Sequence, residues 1–274
     1  LSFFIYSLYT ITAKPKYLFW SGFLFGYLIL TKVVFSYVLI LFIIPAILIY
    51  LSKKRFKSIL AFMVVALAVT VPYQIYTYNL TGKVFYFSNG GGRQLYWMTT
   101  PHKGEFGEWN NKNFDANCGF IEDEIPCNKE LYRKNHGEFY SQIEKLPIID
   151  RDDAFKKKSI SNIRQYPFKY LRNISSNITR MLFNIPNSYF YQRDITTTAR
   201  LFPNSILLTL ILTSVLITFG NLSRFSPSIK LYVAIAFTYL MLSSLVSSYP
   251  RMLNIIVPFI LIWTSYSISF WKKN

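Results

Sequence analysis

Apolar residues fill long runs at both ends of the chain and give way to a polar stretch in the middle. Runs that reach or approach the roughly 20 residues needed to cross a bilayer cover 1–12, 17–31, 33–51, 59–76, 203–220, 231–248 and 252–270. Only Lys32 separates the second from the third, which predicts a tight helical hairpin. Between the two apolar blocks, residues 84–97 alternate loosely and carry aromatics, and Gly90-Gly91-Gly92 marks a turn. That pattern predicts a short strand or hairpin. Residues 101–126, rich in Gly, Asn and aromatics, read as irregular. Beyond Asp150, the positions Ile160, Ile163, Leu171, Ile174, Ile178 and Leu182 recur near helical spacing. They predict an amphipathic helix that Pro167 kinks or splits, lying on a membrane surface or packing under the loop.

The fold class expected is an α-helical polytopic membrane protein with one large mixed external loop domain. Its parts are membrane helices over 1–78, the loop domain over 79–202 and three membrane helices over 203–274.

Charge sharpens this picture. All 13 acidic residues fall between Glu105 and Asp194, whereas the apolar blocks are punctuated only by Lys and Arg. A chain placing most of its length in hydrocarbon has this pattern, because carboxylates there are costly. The formal charge of +17 over 274 residues could suggest nucleic acid. The basic residues instead cluster at the ends of apolar runs, as topology signals do, so nucleic acid is not an expected partner. Lys14 with Lys16, the Lys53-Lys54-Arg55-Lys57 group, Arg224 with Lys230, and Lys272 with Lys273 all fall on one side when seven crossings are threaded. The positive-inside rule names that side cytoplasmic, which puts the loop outside, in a multi-pass protein of a bacterial inner membrane. The chain opens at Leu1 on apolar sequence without a signal-peptide pattern, which reads as a fragment lacking its N-terminal part.

Candidate chemistry is sparse. Cys118 and Cys127 share the external loop, where a disulfide between them and two unpaired thiols both stand open; without a nearby His they make a poor zinc site. Asp150-Arg-Asp152 matches the D-x-D pattern of metal- and nucleotide-binding sugar transferases. With Lys156, Lys157 and Lys158 one turn on, it also fits helix capping and i,i+4 pairing, which is the preferred reading. Glu122-Asp123-Glu124 reads as a solvated charge run. Asn79-Leu-Thr, Asn173-Ile-Ser and Asn177-Ile-Thr fit the N-glycosylation pattern, but in a chain this rich in Asn, Ser and Thr such matches arise by chance and matter only in a eukaryotic source. The Gly90–Gly92 run is read as a turn because no helix is expected to follow it as a phosphate loop requires. Lys32 and Arg251 fall at the outer ends of membrane helices, where topology gives no reason for a cation. They suit either snorkelling to lipid phosphates or an anionic lipid-borne group, Lys as a point charge and Arg as a bidentate fork. His102, Lys103 and Glu105 suit acid/base or phosphate contacts, or simple exposure in a loop. No metal-ligand set stands out.

Four stretches, in order, carry a resemblance. They are Tyr27-Leu-Ile-Leu-Thr-Lys32; Pro72-Tyr followed by Asn79, Gly82 and Gly92-Arg-Gln-Leu-Tyr-Trp97; Ser161-Asn-Ile-Arg-Gln-Tyr-Pro167 with Tyr170-Leu; and Tyr249-Pro-Arg251 through Pro258. Nearly the whole chain resembles the C-terminal two-thirds of a GT-C type membrane glycosyltransferase. The lineage is the protein O-mannosyltransferase-like one that includes the bacterial aminoarabinose transferases. Tyr78, Tyr166 and Met252 depart from the Arg, Asn and Tyr usual at those places. The resemblance implies inverting transfer of a sugar from a polyprenyl-phosphate donor to an acceptor outside the cytoplasm, with or without a divalent metal. It implies Lys32 and Arg251 on the lipid phosphate, Glu105 in a weaker supporting role, and a general-base Asp in a loop upstream of Leu1.

Three other readings remain beside it. A transporter or flippase would place charges or broken helices at mid-membrane. An O-antigen-type polymerase or ligase would rely on Arg93 and His102. A structural subunit would use the loop for binding alone.

Overall fold

The computed structural model describes residues 2, 5–6, 12–41, 53–111, 113–114, 129–186, 188, 195–223 and 225–271. The Cys118–Cys127 pairing and the Glu122-Asp123-Glu124 run lie outside the described residues. The described residues are helical and contain no strand. The chain divides into two compact units, an apolar one (1–88, 209–242, 256–274) and a polar one (89–208, 243–255).

In the apolar unit, α1 (Pro15–Thr31) ends where Lys32 turns extended, and α2 (Val34–Leu41) begins directly after it. The next helix, α3 (Lys53–Thr81), is the longest of the described helices. It packs on α1 through two glycines. A Cβ on Gly22 would come within 2.8 Å of Val65 Cβ, and one on Gly26 within 2.5 Å of the Ala66 carbonyl oxygen. Small residues spaced four apart let the backbones approach where no hydrophobic effect drives association, as in lipid. The later part of α8 (Ile195–Gly220), most of α9 (Pro227–Ser244) and α11 (Val257–Trp271) complete the unit. Buried hydroxyls pair between helices: Ser214 Oγ donates to Thr264 Oγ1 at 3.1 Å, and Trp263 Nε1 to Thr218 Oγ1 at 2.9 Å. Phe35 stacks on Tyr239 with ring centroids 5.1 Å apart.

Two helices, Phe56–Thr81 and Leu201–Gly220, are long and apolar enough to cross a membrane, and Ile229–Ser244 and Val257–Ser269 are shorter apolar ones. The two long ones keep large apolar side chains on their outer faces: Val64, Val71 and Ile75 on α3, Leu212, Leu216 and Phe219 on α8.

In the polar unit, the strand or hairpin expected over 84–97 is not found. Gly91–Met98 forms a helix, α4. Its alternation is too short to outweigh Tyr96, Trp97 and Met98, which as a helical turn are all buried. A helix N-terminus therefore does follow the glycine run, contrary to the sequence reading. What occupies it is a side chain: Asp152 Oδ1 accepts from Gly92 N–H at 2.7 Å. Asp152 sits on α6 (Ile148–Gln165), which follows α5 (Lys129–Ile143). Its other oxygen pairs with Lys156 at 2.8 Å, the i,i+4 contact the charge pattern suggested. So the acid caps α4 as well as pairing along α6, a tertiary role its own helix does not reveal. The residue before a proline is pushed out of the α region, and the helix breaks at Tyr166 (φ −132°, ψ 57°) before α7 (Pro167–Phe183) starts. Asn184, left-handed at φ +64°, ends α7 and returns its N–H to Arg180 O at 2.8 Å. A short helix, α10 (Pro250–Asn254), packs beside α7.

These helices turn their polar positions inward. Asn162 on α6 and Asn173, Asn177 and Arg180 on α7 are buried, while Ile160, Phe168, Leu171 and Ile178 are exposed.

Candidate functional site

The polar unit is built on an aromatic core of Tyr96, Trp97, Phe114, Tyr132, Tyr140, Ile143 and Phe155. Tyr132, His136 and Tyr140 recur every four residues along one face of α5, which carries His136 into that core with the tyrosines. After α4 the chain leaves the helix through Thr99 and Thr100, and a turn closed by Glu105 N–H to His102 O (3.2 Å) sets His102 and Glu105 against α5.

Glu105 is the hub of the site and only 1% exposed. His136 Nε2 lies 2.8 Å from its Oε2, the Thr100 hydroxyl donates to the same oxygen, and Asn135 Nδ2 donates to Oε1 at 2.8 Å. A carboxylate only accepts, so His136 carries its proton on Nε2, and Nδ1 accepts from the Tyr96 hydroxyl at 2.6 Å. The result is a directed relay, Tyr96 O–H to His136 to Glu105. Burial works to raise the Glu105 pKa, but the hydrogen bond and electrostatic attraction of the His136 N–H, with the Thr100 and Asn135 bonds, outweigh it and hold the carboxyl below its usual range. Burial pushes the Tyr96 hydroxyl up, which keeps it a neutral donor.

His102 closes the outer side. Its ring meets that of His136 edge-on, with centroids 5.1 Å apart, and burial pushes its pKa down. Half-buried Lys169 on α7 donates to the Glu105 backbone carbonyl and, at 2.7 Å, to Asn173 Oδ1. Burial, helped by Arg172, lowers the Lys169 pKa. Ligand atoms of His102, Glu105 and His136 all lie within 4.8 Å of one another, so these residues could hold a metal ion.

A second buried network supports the first. Glu108 Oε1 accepts from the Tyr132 hydroxyl at 2.9 Å and from Ser188 N–H, and its Oε2 faces Arg180 Nη1 at 3.6 Å. Arg180 also donates to the carbonyls of Phe106, Pro186 and Ser248 and, at 2.8 Å, to Asn177 Oδ1. Asn177 Nδ2 closes on the carbonyls of Ser244 (3.0 Å) and Val246 (2.6 Å), and Asn173 Nδ2 on that of Met98 (2.9 Å).

Against models of protein families, curated proteins and solved structures, the chain matches none.

The residues picked out from sequence are scattered over this frame. Glu105 and His102 meet at the relay, and Glu105 is buried, which removes the exposed-loop alternative for it. Lys103 is exposed. Arg93 lies over the Trp109 ring, 5.2 Å from its centroid. Arg251 is exposed on α10, next to Tyr249, whose buried hydroxyl donates to Trp109 O at 3.0 Å and is pushed up to about 12 by burial. Lys32 belongs to the apolar unit, Arg251 to the polar one. The N-glycosylation reading fails for Asn173 and Asn177, because both are fully buried and their amides donate to backbone carbonyls. Sequence reasoning passed over His136, Thr100, Lys169 and the Glu108–Arg180 pair. One signal was available: His102 and His136 are the chain's 2 histidines, and both fall in its polar middle.

Proposed function

We propose that this chain works in an integral membrane glycosyltransferase that moves a sugar from a polyprenyl-phosphate donor to a protein, lipid or glycan acceptor on the extracytoplasmic face. The observation that carries the reading is a convergence. Of the four family-like stretches, three place residues on α4, α7 and α10 of the polar unit, and α7 packs against both of the other two helices. Stretches that recur in order along a sequence and lie on contacting helices suit parts of one site scaffold.

In this reading the long apolar helices hold the chain in a bilayer as a multi-pass protein, with the polar unit outside the cytoplasm. The resemblance gives Lys32, in the apolar unit, and Arg251, in the polar one, each a role toward the donor phosphate, since cations stabilise the charge that develops as the lipid phosphate departs. The Glu105 relay organises the loop that faces the acceptor. The exposed α6–α7 stripe of Ile160, Phe168, Leu171 and Ile178, interleaved with Arg164 and Arg172, suits the headgroup layer.

The test is sugar transfer in membranes carrying the full-length protein and a polyprenyl-phosphate-linked donor. Lys32→Ala and Arg251→Ala are each expected to lower transfer at least about tenfold at matched expression. If both keep the wild-type rate, the phosphate role fails. Loss confined to Arg93→Ala and His102→Ala would instead favour a polymerase or ligase of the O-antigen type.

A further inference from the structure

We infer that His102, Glu105 and His136 form a site for a divalent transition metal of the zinc kind. This inference does not rest on the glycosyltransferase reading.

Three observations carry it. First, the donor atoms converge: each residue offers one ligand atom and all three atoms lie within 4.8 Å of one another, with His136 Nε2 already 2.8 Å from Glu105 Oε2. Tetrahedral ligands about 2.0–2.2 Å from a zinc ion stand roughly 3.3 Å apart, so the closest pair needs to open by only about half an ångström.

Second, His136 has its remaining nitrogen engaged: Nδ1 meets the Tyr96 hydroxyl at 2.6 Å. A histidine that binds metal through one nitrogen nearly always has the other held in this way, because the outer bond fixes tautomer and ring direction. Asn135 adds a second brace, its side chain holding Glu105 Oε1 while Oε2 faces His136. The Tyr96 hydroxyl can donate or accept. It therefore serves the proton-bound ring, with the proton on Nε2, and the metal-bound ring, with the proton on Nδ1, equally well.

Third, a hydrogen-bonded relay accounts for His136 and Glu105 but gives His102 no part. His102 comes from the loop, half-buried, and its ring stands edge-to-face with that of His136, centroids 5.1 Å apart. A metal uses all three residues, joining the loop after α4 to α5.

Two nitrogens and one carboxylate oxygen favour zinc, cobalt or nickel over magnesium or calcium, which take all-oxygen shells. Three protein ligands with one partly open side leave a fourth position for water or an acceptor group, as in catalytic zinc sites. On binding, the ion takes the place of the proton between His136 and Glu105, and His136 keeps one proton by passing to its Nδ1–H tautomer, so the pair loses no net proton.

The experiment uses the full-length protein in detergent, stripped with chelator and titrated with Co²⁺. The expected result is about one Co²⁺ per chain, with the visible absorption of a four- or five-coordinate ion, displaced by Zn²⁺ and not by Mg²⁺. Tyr96→Phe should weaken binding about 10–100-fold through the outer bond alone. His102→Ala should abolish saturable binding while leaving the thermal melt of the stripped protein in place, since that ring is half-exposed. Absence of saturable Co²⁺ binding in the wild type, or equal binding by His102→Ala, overturns the inference. If His102→Ala also loses the stripped protein's melt, the Tyr96→Phe affinity decides: an unchanged value overturns it.

Discussion

Arg180 and Glu108 face each other at 3.6 Å with side chains 0% and 1% exposed, one on α7 and the other in the loop after α4. Burying two charges costs several kcal/mol, which only good geometry and further hydrogen bonds offset. Here the guanidinium also reaches three carbonyls and an amide oxygen, and the carboxylate a tyrosine hydroxyl and a backbone N–H. Arg180→Met should therefore strand a buried carboxylate and lower stability by about 3–5 kcal/mol. Glu108→Gln should cost a comparable amount. The double variant should cost clearly less than the sum, because both changes act on one pair. Thermal melts of the four proteins in one detergent check this, and additive losses would show that the pair is not coupled.

Asn177 holds one backbone segment with both ends of its amide, Nδ2 donating to carbonyls of the 243–246 turn and Oδ1 accepting from Ser248 N–H at 3.0 Å. Asn177→Leu keeps the volume and removes these bonds, which at about 1–3 kcal/mol per stranded group should lower the melt strongly. Expression in a host that glycosylates should leave the folded protein unmodified at Asn173 and Asn177. Intact mass is the measurement, and a glycan at either position on folded protein would contradict their burial.

Two adjacent glycines should respond in opposite directions. A Cβ on Gly92 would meet Asp152 O at 2.2 Å, so Gly92→Ala must push α4 off α6 and should cost about 1–3 kcal/mol. A Cβ on Gly91 meets nothing within 4 Å, and Gly91→Ala should be neutral or stabilising by about 0.5–1 kcal/mol. Equal effects on the melt would mean that the α4–α6 contact is not this close.

Phe168, 84% exposed, and Leu171 carry no packing that a fold requires. Phe168→Ser should therefore change stability by no more than about 0.5 kcal/mol. If the stripe lies at the headgroup layer, spin labels on Phe168→Cys and Leu171→Cys should relax faster with oxygen, which concentrates in lipid, than with an aqueous nickel chelate. The reverse preference would place this face in water.

Much of the helix layout could be read directly. Long apolar runs locate α1, α3, α8, α9 and α11, and Pro167 places the break between α6 and α7 within a residue, because a prolyl ring restricts its predecessor whatever surrounds it. The misreadings share one cause. The glycine run before α4 looked like a hairpin turn because its partner, Asp152, lies 60 residues away. The triplets at Asn173 and Asn177 match an acceptor pattern although both side chains are buried, because a local triplet carries no information about burial. On α6 and α7, periodicity correctly gave the two faces. Which face turns inward depends on what each can meet, and on α7 the polar face meets backbone carbonyls that accept from it.

The sequence by itself determined roughly where the long apolar helices lie, where Pro167 breaks a helix, where carboxylates are tolerated and which segments are apolar enough for a bilayer, since these follow from propensity, charge and hydration residue by residue. Only the tertiary structure decided that His102, Glu105 and His136 converge and that Arg180 lies buried against Glu108. Those contacts join segments 31 and 72 residues apart through packing that no local pattern encodes.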